Sequence, residues 1–172
     1  MRYSRLLFQR LSKDLSKKFI QVETLEEWSK ELKAKGHSLV TINGSFDLLH
    51  AGHLHILVEA SAQGDKLLVA LNTDNSIKRY KGSTRPIISL HDRLILMAAL
   101  ECVDFVTYFD EDDPCELLQK VKPHVHANGS EYGANCIEAD TVISNGGKIH
   151  IIPLVKGLST SRIIKKIKEE CA

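Results

Sequence analysis

The sequence is poor in everything that would place a chain in or across a membrane. Apolar runs such as Leu67–Leu71 fall far short of the roughly 20 residues that a bilayer-spanning helix needs. The apolar patch near its start, Leu6-Leu7-Phe8, is too short for the roughly 7 to 15 residue core of a secretory leader, so a cytosolic chain is expected. Cysteines are few: Cys102, Cys115, Cys136 and Cys171 include no Cys-x-x-Cys pair, which excludes a zinc knuckle or a disulfide framework and leaves free thiols. Net charge is scarce too. Lys and Arg number 23 against 22 Asp and Glu, a formal charge of +1, so no global field holds nucleic acid or an acidic membrane and any anion must be bound locally. Internal repeats, low-complexity tracts and linkers are also missing.

What is present is ordinary globular material. The 172 residues are 43% hydrophobic and 26% charged, enough for one domain with its own core and too few for a second full one. Residues 1–36 read as an N-terminal helical extension, an appendage or a lid. Leu25, Trp28 and Leu32 fall at helical spacing, as do Leu6, Leu7 and Leu11. Thr24 with Glu27 forms a capping-box pattern and Gly36 is placed to stop the helix, predicting it over 25–35.

Residues 37–172 form the main domain, where short apolar runs alternate with longer helical patterns, the sequence form of an α/β fold. Strands are predicted at 38–43, 66–71, 104–109, 124–127 and 148–152, near-continuously apolar as doubly covered parallel strands are. Helices are predicted at 53–63, 74–80, 89–102, 114–121, 137–145 and 159–170, with Ser89, Asp113 and Ser159 as N-caps. The expectation is a Rossmann-like open parallel sheet of about five strands with helices on both faces, plus the N-terminal helix.

One segment carries chemistry. In Thr41-Ile-Asn-Gly-Ser-Phe-Asp-Leu-Leu-His-Ala-Gly-His53 a strand runs into a glycine-punctuated turn and then a helix, with His50 and His53 three residues apart across Gly52. Gly44 and Gly52 let backbone approach a ligand, and a helix N-terminus offers free N–H groups and a positive dipole. The imidazoles add donors, so the turn is an anion trap at the carboxyl end of the first strand. Taken alone, His50 could equally cap the turn and His53 sit exposed on the helix.

This stretch resembles the Gly-x-Phe-Asp-x-x-His-x-Gly-His motif of the cytidylyltransferase-like superfamily. The resemblance implies a nucleotidyltransferase: a phosphate oxygen of the acceptor attacks the α-phosphate of a nucleoside triphosphate and pyrophosphate leaves, without a covalent enzyme intermediate. Such chemistry asks for positioning and charge stabilisation rather than a general base. Asn72-Thr-Asp-Asn-Ser76, Lys81-Gly-Ser-Thr-Arg-Pro86, Asp92-Arg93, Cys102-Val-Asp104, Phe109-Asp-Glu-Asp112 and Ile152-Pro-Leu-Val-Lys-Gly-Leu-Ser-Thr160 further resemble the bacterial heptose-1-phosphate adenylyltransferases. Pro153-Leu154-Val155 stands where glycerol-3-phosphate cytidylyltransferases tend to carry Pro-Arg-Thr.

Carried over position by position, the resemblance assigns His50, His53 and Lys81 to catalysis. It assigns Ser45, Phe46, Gly129, Gly157, Ser159 and Thr160, with the two histidines, to the nucleotide. Asp47, Arg85, Asn128 and Glu131 fall to the acceptor, with Lys78 and Arg79 as substitute cations. Lys81 also reads as a solvated lysine, Arg85 as a loop salt bridge and Ser159 as a plain N-cap. The family's Val-Lys-Gly-Gly-Asp-Tyr loop is here Ala127-Asn-Gly-Ser-Glu-Tyr132, so Asn128 replaces a lysine and Glu131 an aspartate. Magnesium is expected to arrive with ATP rather than in a protein cage. His55, His91, His124, His126 and His150 are scattered, and the acidic run 110–113 reads as a solvated helix cap. CTP with glycerol 3-phosphate is the alternative substrate pair, a catalytically impaired nucleotide-binding protein the alternative class, and a homodimer the expectation by analogy.

Overall fold

A computed structural model describes residues 13–133 and 135–170. Helices α1 (Lys13–Lys18) and α2 (Leu25–Ala34), joined by a 3-10 turn at Val22–Thr24, precede the sheet. Then follow β1 (Leu39–Gly44), α3 (Ala51–Ser61), β2 (Lys66–Asn72), α4 (Asp74–Lys81), α5 (Leu90–Ala98) and β3 (Phe105–Phe109). The chain ends with α6 (Cys115–Val121), β4 (Val125–Gly129), α7 (Ala139–Ser144), β5 (Lys148–Ile152) and α8 (Thr160–Glu170). The five strands are all parallel in the order β3-β2-β1-β4-β5.

Alternation along the strands divides the core in two. Val40, Ile42, Leu67, Val69, Leu71 and Val106 face Leu57 and Ala60 of α3 and Leu90, Leu94 and Met97 of α5. Leu39, Leu68 and Ala70 face Leu25 and Leu32 of α2 and Leu117, Leu118 and Val121 of α6. Each strand is therefore apolar on both sides, which is why the runs read as continuous. After β1 the chain builds outward through β2 and β3, then returns to β1's other flank as β4. That reversal opens a crevice beyond Gly44 and Gly129, where ligands of open parallel sheets bind.

The five strands and the seven expected helices are present, the described residues add α1 (Lys13–Lys18), which was not expected, and the departures at the helix ends have local causes. No capping box forms at Thr24: its hydroxyl donates to the Gln21 carbonyl because a 3-10 turn precedes the helix. At α6 the N-cap is Pro114, although Asp113 Oδ1 accepts the Cys115 amide at 2.9 Å. α5 stops at Ala98 rather than residue 102, as the Leu100 amide turns to the Met97 carbonyl. α7 begins at Ala139, two residues later than expected. Residues 19–34 pack into the core: Phe19, Leu25 and Leu32 are buried, and Ser29 Oγ donates to the Val121 carbonyl at 2.6 Å. The helical spacing of Leu6, Leu7 and Leu11, and Cys171, lie outside the described residues. No described helix is long and apolar enough to cross a membrane.

Candidate active site

The motif loop leaves β1 at Gly44 and reverses into α3 through two residues in the left-handed region, Phe46 (φ 43°) and Leu48 (φ 46°). Non-glycine residues there carry strain on the order of 1 kcal/mol or more, so the surroundings must impose the shape. They do so through buried charge. Arg93, fully buried on α5, donates to the carbonyls of Ser45 (2.6 Å), Asn72 (2.9 Å) and Ile88 (3.0 Å) and pairs with Asp74 at 2.7 Å. Asp47, 1% exposed, accepts the amides of Ile87 and Ile88 and pairs with Arg85 at 2.6 Å. Desolvation pushes the Asp47 carboxyl up, but the two amides and Arg85 outweigh it and hold it below the usual carboxylate value.

Asp47 and Arg85 are thus a cross-brace between the motif loop and residues 85–88, not free acceptor ligands as expected. Arg85 still contributes to the cavity wall, in the salt bridge that its alternative reading named.

His50 is the N-cap of α3: its Nδ1 accepts the Gly52 amide at 3.1 Å, leaving the neutral ring's proton on Nε2 as a donor. His53 lies half-buried rather than exposed, stacked on His50 with centroids 3.8 Å apart and tilted against Phe46 at 5.4 Å. Burial, then His50 and Lys81, lower the His53 pKa to about 4, and burial lowers that of His50. Both are neutral donors at neutral pH. Gly52 has a steric reason: a Cβ there would lie 3.0 Å from His50 Cε1 and Nδ1 and 3.2 Å from Leu158 Cβ.

Lys81, the last residue of α4, donates from Nζ to Ser45 Oγ at 2.8 Å, and desolvation followed by Arg85 lowers its pKa. Lys81 is exposed, yet this bond holds its ammonium at the cleft. Lys78 and Arg79 line none of the cavities around it, and Arg79 is engaged by Asp110 and Asp112 on the surface. At the start of α8, Ser159 Oγ accepts the Arg162 amide at 3.2 Å. Gly157 sits at φ 83° just before that cap. The Thr160 hydroxyl, expected on the nucleotide, instead donates to the Asp47 carbonyl at 2.9 Å, tying α8 to the motif loop.

These groups surround a cavity of about 280 Å³ lined by His50, His53, Lys81, Glu131, Ser159 and Thr160 among others. A second of about 160 Å³ at the strand ends brings in Ser45, Phe46, Asn128 and Gly129. Lys81 and Glu131 border both, so most of the predicted site residues converge on one cleft; Asp47 and Gly157 lie outside its lining. Among the described residues no three His, Cys, Asp or Glu side chains are grouped to hold a metal ion.

The profile of the family described as cytidylyltransferase-like matches residues 41–166. The chain belongs to the cytidylyltransferase-like family. It is 44% identical over 138 residues to the bifunctional protein HldE of Coxiella burnetii, covering 80% of this chain and 29% of that one. Against HldE of Trichlorobacter lovleyi it is 43% identical over 158 residues, 91% of this chain and 32% of the relative. The chain therefore spans about a third of these relatives' length. Among solved structures it is similar to a lipopolysaccharide core biosynthesis protein of Thermoplasma volcanium (TM-score 0.57, 32% identity, 70% of this chain and 98% of that one). It shares its fold with a pantoate–β-alanine ligase of Francisella tularensis at 15% identity, TM-score 0.55, covering 87% and 76%. As a cytidylyltransferase-like protein the chain is a nucleotidyltransferase, and its cleft is lined by the N–H donors and the cation that stabilise charge in such a reaction.

Two functional features were missed from sequence. Arg93 lies on the apolar stripe Leu90-Leu94-Met97, a misplaced charge that signals a buried bridge. Glu138, 5% exposed, had no comparable signal.

Proposed function

We propose that this chain transfers AMP from ATP to a sugar 1-phosphate, heptose 1-phosphate being the expected acceptor, with release of pyrophosphate. The observation that carries this reading is the pair of stacked, neutral imidazoles beside Lys81 and the N-terminus of α8 in one cavity. The triphosphate would lie along that cavity, with His50 Nε2–H, Lys81 Nζ and the first-turn amides of α8 as its donors. An acceptor phosphate oxygen attacks the α-phosphorus while the bond to the bridging α–β oxygen breaks, and pyrophosphate takes the electron pair. The attacking phosphate already carries its charge, so no side chain need remove a proton. Donors held before the reaction stabilise charge as it shifts, without reorganisation. His53, packed between His50 and Phe46, holds the His50 ring in register.

The donor set suits an anion, not a bare cation, so magnesium would be held by triphosphate oxygens and water. Bound there, it would supply further neutralisation of the triphosphate. The HldE relatives at 43–44% identity favour the heptose acceptor. The test is pyrophosphate release measured over four nucleoside triphosphates crossed with heptose 1-phosphate, other sugar 1-phosphates and glycerol 3-phosphate. ATP with heptose 1-phosphate should give the highest kcat/KM; a preference for CTP with glycerol 3-phosphate would overturn the assignment.

A further inference from the structure

Past Lys81 and Glu131 the cleft continues toward β2 and β3 as a larger cavity of about 610 Å³. Its charge is one-sided. Lys81 is the one cation lining it among the described residues, against the carboxylates of Asp112, Asp113, Glu131 and Glu138. Three polar side chains are sunk in its wall: Asn72, which donates to Ser76 Oγ at 3.1 Å, Asn128 at 3% exposure and Glu138 at 5%. Asn128 Nδ2 reaches Glu138 Oε2 only at 3.5 Å, the limit of a hydrogen bond, and the Cys136 thiol lies beside both. With one long amide contact and a thiol as its partners, so buried a carboxylate retains capacity to accept stronger donors. The side chain of Glu138 caps nothing at the start of α7, so its placement serves no helix. Two aromatic side chains, Tyr80 from α4 and Tyr132 after β4, also line the cavity while 53% and 64% exposed.

Acceptor-rich carboxylate and amide groups beside open aromatic faces suit a polyhydroxylated ring. Its hydroxyls donate to oxygen, and its C–H face packs on a π surface. A second anionic group would meet like charge there. We propose that Glu138, together with Asn128, is the specificity-determining pair that reads the acceptor's ring hydroxyls, with Tyr80 and Tyr132 flanking the ring. The acceptor is then an uncharged polyhydroxylated ring bearing a single phosphate, held at the Lys81 end. This rests on the phosphorylated acceptor of the preceding section and adds which end of the cleft chooses it.

The test is steady-state pyrophosphate release by the wild type, Glu138→Gln and Tyr132→Leu. Heptose 1-phosphate is varied at saturating ATP, ATP is varied in parallel, and glycerol 3-phosphate serves as a ringless control. Glu138→Gln should raise KM for the sugar phosphate about tenfold, leaving kcat and the ATP KM within about twofold. Tyr132→Leu, at an exposed position that leaves the fold intact, should raise it about threefold. Any turnover of glycerol 3-phosphate, which has no ring, should respond less than that of the sugar phosphate. A sugar-phosphate KM unmoved in both variants while the wild type is active overturns this inference alone, as does an equal rise in the ATP KM. A wild type inactive with every sugar phosphate overturns the proposed function and this inference with it.

Discussion

The loop after β1 and the loop after β4 border the same cleft, and they are held very differently. Residues 45–50 are braced from three directions: by Arg93 through the Ser45 carbonyl, by residues 85–88 through Asp47, and by α8 through Thr160. Beyond Gly129, the Ser130 amide meets the Ile152 carbonyl and the Tyr132 amide the Gly129 carbonyl, while Asn128 and Glu138 barely touch. On the proposed function, the contrast would separate two tasks. Charge stabilisation at phosphorus needs donors fixed to a fraction of an ångström, whereas the acceptor's shape can be met by a wall that adjusts.

The sharpest way to break the contrast is Asp47→Ala, which leaves Arg85 buried without its partner and two amides unsatisfied. We expect a loss of about 3 to 5 kcal/mol of stability and on the order of 10³-fold in kcat, read by thermal melting and pyrophosphate release. His50→Ala should lower kcat on the order of 10²- to 10³-fold and cost about 1 kcal/mol of stability, because it also removes the cap that accepts the Gly52 amide. His53→Ala should match it in rate and also melt earlier, because the ring fills space against Phe46. Near-full activity in either would remove this turn from the chemistry.

A third expectation concerns pH. His53 and His126, both lowered from 6.5 to about 4, stay neutral in the fold but protonate in the unfolded chain below 6.5. The unfolded state therefore binds more protons between those values, and stability falls as pH drops from 6.5 towards 4. His126, fully buried with Nδ1 on Thr41 Oγ1, should account for roughly 3 kcal/mol of that fall, and His126→Asn should flatten the profile measured by urea melts. Gly52→Ala should cost about tenfold in kcat/KM, the new methyl displacing the His50 ring, with melting nearly unchanged. The smallest effect belongs to the other loop. Glu131→Gln should leave melting unaltered and change the acceptor KM by less than about threefold; a large loss of stability there would erase the distinction between the loops.

The sheet was legible because both faces of every strand are covered, which leaves unbroken apolar runs, and the motif was legible because glycines and histidines crowd one turn. What stayed hidden was pairing across distance. Arg85 also reads as a loop salt bridge, but nothing local tells that its partner is Asp47, 38 residues away and 2.8 Å distant. The Thr160 hydroxyl's partner carbonyl, 113 residues away, was equally out of sight. Arg93 could have been found, since an arginine on an apolar helical stripe must be bridged. Helix ends were misplaced where an apolar run outlasts its helix, as at Leu100 beyond α5.

The way α2 closes the back of the sheet bears on how this protein can be divided. The match to the family profile begins at residue 41, yet Ser29 and Lys33 occupy the Val121 carbonyl at the end of α6, and Leu25 and Leu32 cover Leu39 and Leu68. A cut at the family boundary would therefore bare one whole apolar layer and a helix terminus. The smallest piece expected to stay monodisperse starts before Phe19, some twenty residues ahead of the first recognisable motif.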